Sequence, residues 1–168
     1  MQQLFTENLR IGFKANLVIG QKLAAAVDAA DMVAQPAAGV NHPAWILRHL
    51  SAYHPVLLDL LAGGTPEDPK THRFGMESSP IADAAEYGPW DAVVGDYLDG
   101  GAKVLAAVEA LAGDDQAHAT LTQPMPVPRW AEKFPQVGSI MSYLLIHHEG
   151  FHLGQLSAWR RVRGLPGV

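Results

Sequence analysis

Four stretches of this chain repeat apolar residues every three or four positions, and clusters of Pro and Gly separate them. No segment alternates with period two for long enough to make a strand, so packing helix on helix is the way to bury these stripes. The first stretch runs from Leu4 to Met32, with Leu9, Phe13, Leu17, Leu23 and Val27 on one face. Asn41-His42-Pro43 then predicts a helix start, since Asn or His can cap the first turn and Pro is tolerated inside it. Trp45, Ile46, His49, Leu50, Tyr53, Leu57, Leu60 and Leu61 carry this second helix to Gly63-Gly64. Pro55 should kink or break it. Trp90 to Leu111 predicts a third helix, weakened at Gly100-Gly101, where each glycine costs about 1 kcal/mol relative to alanine. The fourth runs from Val137 to Arg163 and stops at Gly164. Residues 63–86 and 113–136 are rich in Pro, Gly and Asp and read as long connections. The expected fold is all-α: one domain over 1–168, a bundle of four helices with two long connections.

Composition narrows the function. The chain is 48% hydrophobic and 17% charged, apolar enough for a packed core and too apolar for a disordered chain. A formal charge of −5 with scattered bases argues against nucleic acid, which is bound through a basic stripe. Arg160, Arg161 and Arg163 read as a cationic last turn that complements the helix dipole. The absence of cysteine excludes disulfides, thiolate metal sites and a protein thiol nucleophile. Met1 to Lys14 has no apolar signal region, and no run approaches the roughly 18 apolar residues of a membrane span. A soluble, cytoplasmic protein is expected.

Eight histidines are the chemically informative residues. His148 and His152 stand four apart on the last helix, which places both imidazoles on one face, one turn apart. Met141, Leu144, Leu145, Leu156 and Trp159 lie on or beside that stripe, so the pair faces the core. Buried imidazoles need partners. Either each is hydrogen-bonded separately, or the two share a cation at roughly 2.0–2.1 Å. His49, among Trp45, Ile46, Tyr53 and Leu57, is a core histidine or a third nitrogen for that cation. His54 is a weaker candidate for that role. His147 points a quarter-turn away from the pair, and His42, His72 and His118 read as surface residues. Gln155, three residues past His152, can orient a ligand or cap a helix contact.

His148-Glu149-Gly150-Phe151-His152 also matches the His-Glu-x-x-His pattern of zinc proteases. Such enzymes usually take a third ligand from downstream, and the 16 residues after His152 contain no His, Asp or Glu. Gln155 and Ala158 stand where the metzincin pattern needs Gly and His. Glu149 therefore reads as an exposed or dipole-complementing residue and not as a general base.

Asn41-His42-Pro43-Ala44-Trp45-Ile46-Leu47-Arg48-His49-Leu50 resembles the first ligand segment of the DinB/YfiT-like superfamily. Val137-Gly138-Ser139 through His148-Glu149-Gly150-Phe151-His152-Leu153-Gly154-Gln155-Leu156 resembles its last helix, and the closing His-Leu-Gly-Gln-Leu is the most specific part. Between residues 63 and 136 the likeness is one of pattern alone. The resemblance implies an up-down-down-up bundle and a three-histidine site for a divalent ion, often nickel or zinc, with His49, His148 and His152 as ligands. Characterised relatives include thiol-dependent S-transferases and a mycothiol-dependent maleylpyruvate isomerase. It thus implies a small electrophilic substrate, a low-molecular-weight thiol and a homodimer. A metal-binding stress-response module without turnover and a metal-dependent hydrolase are the alternatives. Arg129 and Trp130 in the Pro-rich loop 124–135 are expected to wall the site or to pack the loop.

Overall fold

The computed structural model describes residues 2–111 and 116–168, with side chains described for 3–111 and 119–168. The described residues are helical, without a strand, and joined by turns. Helix α1 spans Gln2–Ala25 and buries Leu9, Phe13, Leu17, Leu23 and Ala24. It ends earlier than its periodicity suggests, because the Asp28 carboxylate accepts from the Ala30 N–H and caps a separate 3-10 turn, Ala29–Asp31. Helix α2 spans Pro43–Leu61. His42 is its N-cap, its Nδ1 accepting from the Trp45 N–H at 3.2 Å.

Two expected weak points in the helices resolve differently. Helix α2 continues unbroken past Pro55, whose ring lies on the exposed face. Buried Tyr53, His54, Val56, Leu57 and Leu60 flank the proline and fix the helix from outside, so packing overrides local propensity. Helix α3, Trp90–Ala110, likewise runs through Gly100 and Gly101. A Cβ at Gly100 would collide with His54 Nδ1, and one at Gly101 with a methyl of Leu17. These glycines let α3 approach α2 and α1 at once.

The second connection is more structured than its prolines suggest. It contains α4, Gln116–Thr122, and α5, Pro128–Ala131, and folds back so that the Met125 N–H meets the Pro135 carbonyl and the Val137 N–H meets that of Gln123. The last rod is helical over its whole predicted length but changes pitch. Helix α6, Val137–Ser142, passes into a π-helical turn, Tyr143–His148, and then into α7, Glu149–Val162. Gly164, at φ 75°, follows its end.

One apolar cluster draws on all four long rods, with α2 packed against α3 and α7, and α1 against α3 and α7. Arg10–Glu109 and Leu17–Gly101 are meeting points of α1 and α3; Asn16–Leu145 and Leu23–Arg160 join α1 to the last rod. Arg48–Asp96 and His54–Gly100 join α2 to α3, and Asn41–Gln155 and His49–His148 join the α2 segment to the last rod. The last turn of α7 carries Arg160 and Arg161, the cationic end its sequence predicts. Arg160 is buried and donates to the carbonyls of Leu23 and Pro166, while Arg163 pairs with Asp31. No helix among the described residues is long and apolar enough to cross a membrane.

Candidate metal centre

Helix α2 brings His49 inward between Trp45 and Tyr53, one turn to either side. The Trp45 ring stacks on it at 4.5 Å between centroids and the Tyr53 ring meets its edge at 5.2 Å. Across the bundle, His148 closes the π turn and His152 follows one turn into α7. A π turn leaves wide, poorly paired carbonyls and recurs at functional sites. Here the Asn16 amide of α1 donates to two of them, Leu145 O at 3.0 Å and Ile146 O at 3.3 Å. That contact steadies the turn that carries His148.

The donor nitrogens of His49, His148 and His152 all lie within 4.8 Å of one another, and His49 Nε2 stands 3.0 Å from His148 Nε2. A tetrahedral ion at 2.0–2.1 Å from each ligand spaces them by about 3.3 Å, a separation that small ring rotations reach from here. For His49 and His152 the outer nitrogens show that the inner ones are ready to coordinate. His49 Nδ1 is 2.6 Å from the Phe74 carbonyl, which only accepts, so Nδ1 carries the proton and Nε2 keeps its lone pair. His152 Nδ1 donates to Gln155 Oε1 at 3.0 Å, and the Asn41 amide holds that same oxygen at 3.0 Å. Such outer partners orient metal ligands and raise their basicity.

Electrostatics acts the same way. Burial, then the neighbouring His152, lowers the His49 pKa to about 4. Burial, then His152 and His49, brings His148 to about 2, and burial also lowers His152 against the pull of Gln155. All three imidazoles are neutral at neutral pH, the form that binds metal. Between them, His148 Nε2–H donates to His49 Nε2, a proton that a divalent ion would replace. Three nitrogens fit such an ion and leave it open positions.

A family model described as the DinB superfamily matches residues 20–156, a span that holds all three histidines. The chain belongs to the DinB superfamily. No curated protein and no solved structure gives a match.

In this DinB-superfamily chain the other histidines divide sharply. His147 is exposed, its ring against Tyr143 and Phe151, and His72 is exposed in its loop. His118 falls outside the residues whose side chains are described. His42, expected at the surface, is fully buried: with Nδ1 engaged as the helix cap, its Nε2–H donates to the Ile81 carbonyl at 2.9 Å. His54 is buried and outside the triad, and neither of its nitrogens has a hydrogen-bond partner.

Glu149 is the other correction. It is not exposed; it is buried and accepts from the Tyr97 hydroxyl of α3 at 2.6 Å. Burial raises its pKa to about 7. Its carboxylate faces Tyr97 and does not line the cavity beside the triad, which speaks against a protease-type base. That cavity, about 360 Å³, is lined by the three histidines, by aromatic side chains and by Arg129 and Trp130 of the Pro-rich loop. Arg129 also grips Asp68 with two bonds of 2.7 and 2.5 Å, tying this loop to the first connection. Phe74 and Asn41 carried no signal as site residues, Phe74 because it acts through its carbonyl and Asn41 because it reads as a cap.

Proposed function

We propose that His49, His148 and His152 hold one divalent ion, nickel or zinc, in a metal-dependent enzyme. Its reaction is the transfer of a low-molecular-weight thiol to a small electrophile, or an isomerisation that uses such a thiol. The observation that carries this reading is the convergence of three neutral imidazoles, two oriented by outer hydrogen bonds, on a cavity of small-molecule size. A bound ion there supplies a Lewis acid that lowers the pKa of a thiol or water. The chain contributes the rest. His49 and His152 are turned inward by Phe74 and Gln155, and the Trp45 and Tyr53 rings exclude water around them. With no cysteine in the chain, any thiol arrives with a small molecule.

The helix meeting points support the up-down-down-up arrangement of a four-helix bundle: residue numbers rise together between α2 and α3 and run oppositely between α1 and α3. We read residues 1–168 as a single domain, acting as a cytoplasmic homodimer. The test is a panel of bacterial thiols assayed with an electrophilic substrate such as chlorodinitrobenzene. Thiol-dependent conjugate that disappears in His148→Ala is the expected result. Consumption of an ester or amide without thiol would replace the transferase by a hydrolase. Metal binding with neither activity would leave a binding module.

A further inference from the structure

The cavity beside the histidine triad has a one-sided charge pattern. The chain carries 17 acidic against 12 basic residues, yet among the described residues no Asp or Glu lines this cavity. Two cations do, Arg129 and Lys133. Arg129 is neutralised by its paired bonds to Asp68. Lys133 has no ion-pair partner among the described residues. Its ammonium lies over two lining rings, 5.4 Å from the Phe134 centroid and 5.3 Å from that of Tyr143. Those rings keep it at the cavity and satisfy it only weakly. Around it the walls are flat and apolar: Trp45, Tyr53, Trp130 and Phe151 complete them.

We infer that this cavity takes a small carboxylate with a flat apolar body, its carboxylate paired with Lys133 and its body held between the aromatic walls. The inference rests on the reading of this cavity as the substrate site, and it adds the chemical class of the ligand. A single unpaired ammonium in a pocket whose described lining holds no acid selects one negative charge, and aromatic faces select a planar body. Lys133 is here a specificity-determining residue and not a ligand of the ion.

The matched pair 3-phenylpropionate and 3-phenylpropionamide differs only in the charged group. Trp45 and Trp130 line the cavity, so tryptophan fluorescence reports binding of either. The wild type should bind the carboxylate about tenfold more tightly than the amide, the size of one hydrogen bond to a charged group. Lys133→Met should shrink that ratio to about twofold or less, while Lys133→Arg retains it. Because Lys133 is exposed, both variants should keep the wild-type melting temperature. His148→Ala should keep the preference, since the anchor is Lys133. The inference is overturned if Lys133→Met retains the full ratio, or if His148→Ala alone abolishes it, which would put the carboxylate on the ion. Zinc titration of the same proteins separates the two readings. If the wild type binds no zinc, the metal reading fails while the Lys133 ratio still stands or falls by itself.

Discussion

Helix α2 buries two histidines, His49 towards the last rod and His54 towards α3, and burial lowers the pKa of each to about 4. Their surroundings differ in what meets the nitrogens. His49 has Phe74 O behind it and two further imidazoles in front, beside a cavity of about 360 Å³ with no acid among its described lining residues. His54 has no partner at either nitrogen and lies against Gly100 of α3. It lines a larger cavity of about 880 Å³, whose walls include Asp59, Glu67, Asp96 and Asp99. Among the described residues, the larger space holds no converging set of donors. Burial perturbs a histidine wherever it occurs; convergence is what turns a perturbed histidine into a ligand.

The sharpest way to break this comparison is to exchange the fates of the two residues. His49→Ala should weaken zinc or nickel binding by at least about a hundredfold, beyond the loss typical of outer-partner mutations. His54→Leu should leave it within about twofold. Competition with a chromophoric chelator reads both, and equal losses from the two would contradict the distinction.

The next effect concerns the fit around His54. Gly100→Ala should lower stability by about 1–3 kcal/mol in urea unfolding, despite alanine's better helix propensity, because the new methyl group meets the imidazole. His54→Ala in the same chain should recover most of that loss. A double-mutant coupling near zero would mean that the two do not touch.

On the triad side, Gln155→Ala should weaken metal binding by about tenfold, at the low end for an outer hydrogen-bond partner. His152 would lose the acceptor that fixes its tautomer. Isothermal titration calorimetry at neutral pH measures this, and an unchanged affinity would reduce Gln155 to a packing residue.

The smallest change is expected from His54→Leu itself. Removing an unpartnered buried imidazole should stabilise the fold by about 1 kcal/mol at pH 7. The pH profile carries the sign. The folded pKa, about 4, lies below the ordinary 6.5, so the unfolded chain binds the extra proton in between. The contribution of neutral His54 is fully present above pH 6.5 and is lost as pH falls towards 4. Unfolding curves across that window should therefore be less acid-sensitive in His54→Leu than in the wild type. Identical slopes would count against a neutral His54.

The same contrast shows which parts of the molecule were legible in its sequence. The long helices follow from apolar spacing, because that spacing is itself the packing surface. The His148/His152 pair was legible because both members lie on one helix. Partners far along the chain left no local trace. Glu149 reads as a surface residue until Tyr97 of α3 meets it, and Gly100-Gly101 reads as a breaker until His54 and Leu17 press on it. The π turn was equally hidden, since a spacing of four presupposes an α pitch, and its support comes from Asn16 on α1. His42 reads as a turn residue because Pro43 marks the turn; its buried nitrogen is met by the Ile81 carbonyl of a distant loop.

The central claim is that three imidazoles from two separate helices share one ion. Elemental analysis of the full chain, purified without an affinity tag, tests it most directly. The wild type should carry close to one equivalent of nickel or zinc per chain, and the folded His49→Ala and His148→Ala proteins should carry almost none. Folded wild-type protein that takes up no divalent ion even when one is supplied, or variants that retain a full equivalent, would contradict it.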